Sequence, residues 1–159
     1  MPPATTQAAA RAQLQRHFAE TLRALPAGLA LVQWHPELPK AGLPRGVTLP
    51  WDESDPDDVL EFFDLGYWVL GTTPDTSDRY FDLILEVWRE LGWPTRTDRD
   101  ARPRTGYGST PDGYGLTVTQ SINGYLSLAG STPPFPAGSD EGDPPPLRID
   151  RPGTTDSGD

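Results

Sequence analysis

The chain has 159 residues, no cysteine and a formal net charge of −10 at pH 7. This length fits one domain, and the lack of cysteine excludes disulfides, thiolate metal sites and cysteine nucleophiles. The acidic balance argues against binding to nucleic acid, whose phosphates need clustered Lys and Arg, and against docking on anionic membranes; it favours a soluble protein or a basic protein partner.

The first predicted element is a helix at about 6–25, which follows a frayed N-terminus at 1–5. The apolar residues that recur there at helical spacing are Leu14, Phe18, Leu22 and Leu25, and they form one apolar stripe. No segment approaches the roughly 20 apolar residues of a membrane helix. The N-terminus as numbered has neither the pattern of a signal peptide nor a cysteine for lipidation, so a cytoplasmic location is expected.

Short strands are predicted next, at 29–34, weakly at 46–49, and more strongly at 63–70. The segment 63–70 has apolar side chains on both faces, which is typical of a central strand, so we expect Trp68 to lie in the core. The main helix follows at about 75–91, with Asp75 as its N-cap and Gly92 at its end. Its broad apolar face predicts that it packs on the sheet.

Four further strands are predicted at 93–98, 104–109, 114–120 and 125–131. A three-residue loop that ends in Gly124 would pair Val118 with Leu128 and would place the apolar residues of both strands on the core side. The predicted fold class is therefore α+β, with an antiparallel β-meander sheet packed against the main helix and an additional N-terminal helix.

The C-terminal segment has a different composition from the rest of the chain. Residues 133–159 contain seven prolines, and no aromatic residue follows Phe135. Such a segment buries too little apolar area to offset its ordering entropy. The sequence therefore predicts a single domain at 6–137 and a disordered, acidic, Pro/Gly-rich tail at 138–159, whose deletion would leave the stability nearly unchanged.

Two stretches, YFDLILEVWRELGWP and DGYGLTVTQSINGYLSLAGSTPPFP, resemble the soluble domain of small actinobacterial proteins, the mycobacterial lipoproteins of the LppA/LppJ type. The resemblance covers about residues 60–137. The matching residues are Trp88, Gly92, Trp93, Gly113, Leu126, Leu128, Pro133 and Pro134. It implies a helix that leads into a β-meander, and it implies no activity. Pro134 stands where those lipoproteins tend to have a cysteine, so lipid anchoring is not carried over. An accessory role in an envelope or secretion system is one alternative that the resemblance suggests.

The candidate binding site is an acidic loop that begins with an aromatic residue. Its candidate partner-binding residues are Trp51, Asp52, Glu53, Asp55, Asp57 and Asp58. The loop lacks the glycine and the terminal glutamate of a calcium-binding EF-hand loop, so no metal site is predicted. Two interpretations stay open, a solvated acidic loop and a docking surface for a basic protein partner.

Neither histidine belongs to a catalytic or metal-binding pattern. His17 is expected at the surface or boundary of the first helix, and His35 is one candidate general base if a carboxylate lies beside it. The glycines at 106, 108, 113 and 115 do not follow a phosphate-binding pattern, and turns and bulges explain them better. No cofactor is predicted, and no residue is identified as catalytic.

These observations favour a non-enzymatic protein-interaction domain. A more specific version is an immunity-type inhibitor that neutralises a basic partner, since acidic charge would raise the association rate and the specificity of binding. A small hydrolase or lyase that uses His35 and a carboxylate is the alternative from another class.

Overall fold

The computed structural model describes residues 6–37, 45–52, 54 and 59–152, with Arg45 described by its backbone alone. The elements formed by these residues are α1 (Gln7–Ala24), β1 (Ala30–Val32), β2 (Arg45–Pro50), β3 (Leu60–Leu70), α2 (Ser77–Glu90), β4 (Thr95–Thr97), β5 (Arg104–Ser109), β6 (Gly115–Gln120), β7 (Leu126–Ser131), β8 (Phe135–Pro136) and β9 (Arg148–Asp150). The predicted α+β class is confirmed.

The strands form one antiparallel sheet in the order β4-β5-β6-β7-β3-β1-β9, and β2 and β8 also pair with β3. The predicted register of the β6–β7 hairpin is confirmed, because Val118 pairs with Leu128 and Gln120 with Leu126. Gly124 has the positive φ of 88° that this loop requires. The long strand β3 is the centre of the sheet, as its apolar composition predicted.

Both helices pack on the same face of the sheet, which we call the helix face. A side chain at Gly108 would place its Cβ only 2.8 Å from the Trp88 ring of α2, and one at Gly130 would lie 2.6 Å from Leu14 of α1. The indole of Trp88 also donates a hydrogen bond of 3.1 Å to the Thr21 hydroxyl of α1. The strand glycines therefore allow the helices to approach the backbone closely. Gly108 has this packing role instead of the predicted role in a turn or bulge.

The helix ends differ slightly from the predicted ones. Thr6 is the N-cap of α1 and its hydroxyl accepts a hydrogen bond from the Ala9 N–H, which is the expected role of a threonine there. Helix α2 has Thr76 as its N-cap, without a side-chain cap bond, in place of the predicted Asp75. Gly92 follows the helix with a φ of 88°, as predicted.

The prediction of a disordered tail from residue 138 is wrong for residues 138–152. This segment runs along α1 and ends in β9, which pairs with β1. The Ser139 hydroxyl and the Asp140 carbonyl accept hydrogen bonds from backbone N–H groups at the start of α1. Arg151 donates to the carbonyls of residues 23 and 25 at its end. The polar tail is ordered because it supplies partners for helix-end groups that have none within the helix.

Two single-residue expectations are also corrected. Trp68 is half-buried, not in the core, because it points to the sheet face opposite the helices. That face, which we call the open face, has no helix packed on it in the described part of the chain. His17 is buried, with 5% of its surface exposed, because it is enclosed by Trp93 and Tyr114.

Candidate functional site

The predicted acidic loop is described only in part. The structure describes Trp51, Asp52 and Ser54, whereas Glu53 and residues 55–58, including the candidates Asp55, Asp57 and Asp58, lie outside the described residues. The geometry of the site is therefore built from Trp51, Asp52 and the strands on either side of the loop.

Trp51 follows β2 directly and continues its pairing with β3. Its backbone N–H donates a hydrogen bond of 3.0 Å to the carbonyl of Leu60. Its indole packs edge-on against Phe62, with ring centroids 5.8 Å apart. Half of the Trp51 surface is nevertheless exposed. The side chain is thus held in place on one side and accessible on the other.

Trp51 is one end of an exposed apolar strip on the open face. In the antiparallel register Leu49 lies opposite Phe62 and Val47 lies opposite Asp64, and residues directly opposite one another share a face. Val47, Leu49 and Trp51 are exposed by 44%, 38% and 50%. We call Val47, Leu49, Trp51 and Phe62 the β2 strip. A contiguous exposed apolar surface of this kind is typical of interaction sites.

Carboxylates border the β2 strip. Asp64 shares the open face and accepts a hydrogen bond of 2.8 Å from the Ser131 hydroxyl. Hydrogen bonds from the hydroxyl and the backbone N–H of Ser54 lower the pKa of Asp52, which keeps this carboxylate ionised. Residues 51–72 contain seven acidic residues and no basic one. Among the described residues, the apolar strip is therefore bordered by two carboxylates, those of Asp52 and Asp64.

In the described part of the chain, His35 has no hydrogen bond to a carboxylate. It is buried, and its Nδ1 accepts a hydrogen bond of 3.1 Å from the backbone N–H of Glu37. The Glu37 carboxylate instead accepts a hydrogen bond from the Tyr125 hydroxyl. Among the hydrogen bonds of the described residues none joins His35 to an acid, so the geometry does not assemble the pair that the hydrolase alternative requires.

A titratable cluster that the sequence analysis missed surrounds His17. Its Nδ1 lies 3.0 Å from Glu20 and its Nε2 lies 3.1 Å from Asp112, in the turn between β5 and β6. Gln13 also donates to Asp112. The spacing of His17 and Glu20 is visible in the sequence as an i, i+3 pair, but the contact with Asp112 joins residues 95 positions apart. The cluster fastens α1 to the β5–β6 turn.

Asp112→Asn is expected to destabilise the fold at pH 7, and its effect is expected to shrink as the pH falls. Burial acts to raise the pKa of Asp112, but hydrogen bonds from Thr110 and His17 outweigh it and hold the pKa below its ordinary value of 3.8. A carboxyl group whose pKa is lower in the folded state stabilises the fold at pH values above its ordinary pKa. This stabilisation is lost as the pH falls through the lowered pKa.

The measurement is urea unfolding of both proteins between pH 6 and pH 2.5. Glu86→Gln, at an exposed position of α2, controls for the change in net charge. A difference between wild type and Asp112→Asn that stays constant over this range would contradict the proposed contribution of the Asp112 carboxylate.

The described residues contain neither a metal-binding cluster nor a membrane-spanning helix. No group of three or more His, Cys, Asp and Glu residues there is placed to hold a metal ion, and neither described helix is long and apolar enough to cross a membrane. Comparisons of the chain with family models, curated proteins and solved structures find no match. The resemblance to the LppA/LppJ-type lipoproteins accordingly stays a prediction.

Proposed function

We propose that this protein is a non-enzymatic interaction domain that binds a basic protein partner through the loop Trp51–Asp58, in the manner of an immunity-type inhibitor. The observation that carries the proposal is Trp51, which is half-exposed, packed on Phe62 and set within an apolar strip beside the most acidic stretch of the chain.

Trp51 and the acidic residues of the loop are expected to affect different steps of binding. Large aromatic side chains near the centre of an interface contribute a large share of the binding energy. Carboxylates at the border act mainly by steering the approach of a cationic partner, an effect that salt screens over about 8–10 Å. Trp51 is therefore expected to govern dissociation, and the acidic residues association.

Reversal of Asp55, Asp57 and Asp58 to Lys is expected to slow association with a basic partner and to weaken its dependence on salt. Trp51→Ala is expected to leave association nearly unchanged and to speed dissociation by about tenfold or more, as for a buried aromatic anchor. The partner is first obtained by pull-down with the wild-type chain, and both rate constants are then measured by surface plasmon resonance at several salt concentrations.

A matched control reverses three exposed acidic residues elsewhere, Asp75, Glu86 and Glu90. It changes the net charge by the same amount but lies outside the acidic loop. The proposal is wrong, and the loop is a solvated surface, in either of two cases. In the first, the loop variant associates as fast as the wild type at low salt. In the second, the loop variant and the control variant associate at the same rate.

A further inference from the structure

Within the described residues β2 pairs with β3 alone, and the opposite edge of β2 is poorly suited to pairing with a strand of a partner. Trp51 is hydrogen-bonded to Leu60 of β3. Because hydrogen-bonded and non-hydrogen-bonded residues alternate along an antiparallel strand, the backbone groups of Thr48 and Pro50 point away from β3. Pro50 has no N–H to donate, and the register shifts between Arg45 and Val47. Such features typically protect sheet edges. A partner is therefore expected to contact the open face of β2 and not its edge.

The spacing of the β2 strip fits the apolar face of an α-helix. Side chains two apart on a strand are about 6.7 Å apart, and side chains four apart on a helix are about 6 Å apart along its axis. Val47, Leu49 and Trp51 together span about 13 Å, or roughly two and a half helical turns. An amphipathic helix with apolar residues at i, i+4 and i+8 matches this row.

Charge defines the flanks of that helix. The strip is bordered by Asp52 and Asp64, and residues 46–70 contain no Lys or Arg. A helix lying along the strip would place its polar flanks beside these carboxylates, where Lys and Arg are favoured and acidic residues are repelled. A second copy of this chain would bring the same acidic border into contact with itself.

We propose that the partner presents a basic amphipathic helix, which lies along β2 on the open face and inserts apolar side chains among Val47, Leu49 and Trp51. This inference rests on the proposed function and specifies the structure of the partner segment. Recognition of an amphipathic helix by an apolar surface is a recurrent mode of peptide binding, in which apolar side chains at helical spacing contact that surface.

Three synthetic 18-residue peptides test the inference with the full chain. The first has Leu and Lys in a helical pattern, the second has the same composition in strict alternation, and the third has Leu and Glu in the helical pattern. Affinities are measured by calorimetry, and the contact surface is mapped by changes in amide and indole NMR signals. The helical Leu/Lys peptide is expected to bind most tightly, with the largest changes at Val47, Leu49 and Trp51.

Leu49→Asp is expected to weaken binding of the helical Leu/Lys peptide at least about tenfold, because a buried anchor contact is lost. The added negative charge would by itself strengthen the attraction to a cationic peptide. A loss of affinity would therefore come from the loss of the apolar contact. Ile122→Asp is the matched control, at a residue that is 67% exposed in the β6–β7 loop, and is expected to bind like wild type.

The outcomes separate this inference from the proposed function. Tighter binding of the alternating peptide, or equal loss of affinity in Leu49→Asp and Ile122→Asp, would overturn the helix inference and leave a basic partner possible by another mode. Binding of the Leu/Glu helix as tight as that of the Leu/Lys helix would overturn the basic-partner proposal itself.

Discussion

Removal of residues 138–159 is expected to lower the free energy of unfolding by on the order of 3 kcal/mol or more, in contrast to the expectation from composition. The segment accepts bonds from the first N–H groups of α1, donates to its last carbonyls through Arg151, and accepts a bond of 2.8 Å from the Tyr67 hydroxyl at the Pro146 carbonyl. Each such bond contributes a net of about 0.5–1.5 kcal/mol. The loss is measured by urea unfolding of the truncated and complete chains.

A shorter truncation provides the control. Removal of residues 153–159 keeps β9, Arg151 and every contact described for the segment 138–152. It is therefore expected to leave the stability within about 0.5 kcal/mol of the wild type. If the longer truncation is as stable as the shorter one, the segment 138–152 adds nothing to the fold and its docking on α1 is incidental.

Trp88→Ala is expected to cost about 3–5 kcal/mol of stability, the range for truncation of a large aromatic residue in a core. Trp88 has no exposed surface, packs over Gly108 and donates its indole N–H to Thr21. The variant removes the ring that fills the space between α2 and β5 and leaves the Thr21 hydroxyl, also fully buried, without its donor. Chemical denaturation monitored by far-UV circular dichroism measures the loss.

Two further variants, one at the C-terminal end of α2 and one on α1, separate the contribution of packing from that of the hydrogen bond. Leu91→Ala, at a residue that is 38% exposed, is expected to cost less than about 1 kcal/mol because it leaves no enclosed cavity. Thr21→Val removes the acceptor for the Trp88 indole and keeps the volume, at a cost of about 1–3 kcal/mol for the unsatisfied N–H. A loss below 1 kcal/mol in Trp88→Ala would show that α2 is not a principal cover of the sheet.

Local sequence patterns were sufficient to predict those features that depend on a few neighbouring residues. The periodicity of apolar residues predicted α1 and α2, because a helix that buries one face must repeat its apolar positions at 3.6 residues. The register of β6 and β7 followed from the requirement that Val118 and Leu128 reach the same face. The candidate Trp51 was also recognisable in the sequence, because an aromatic residue among Pro and Asp is rarely part of a core.

The expectations for the tail, from its composition, and for His17, from its position on the first helix, differ from the structure because both segments contact groups that are distant in sequence. Residues 138–152 are ordered by the two ends of α1, more than 120 positions away, and no property of the tail alone shows that these helix-end groups need partners. His17 is buried by Trp93, Tyr114 and Asp112, which the folding of the sheet brings to α1.

For this protein, local patterns were enough to predict both helices, the strands β1 to β7 and the acidic charge beside Trp51, because each depends on residues within a few positions; β8 and β9 were not predicted. That Val47, Leu49, Trp51 and Phe62 form one exposed strip follows from the three-dimensional fold and not from local pattern. That strip depends on the register between β2 and β3 and on which face of the sheet the two helices cover. Both result from packing across the chain, and together they leave this surface exposed.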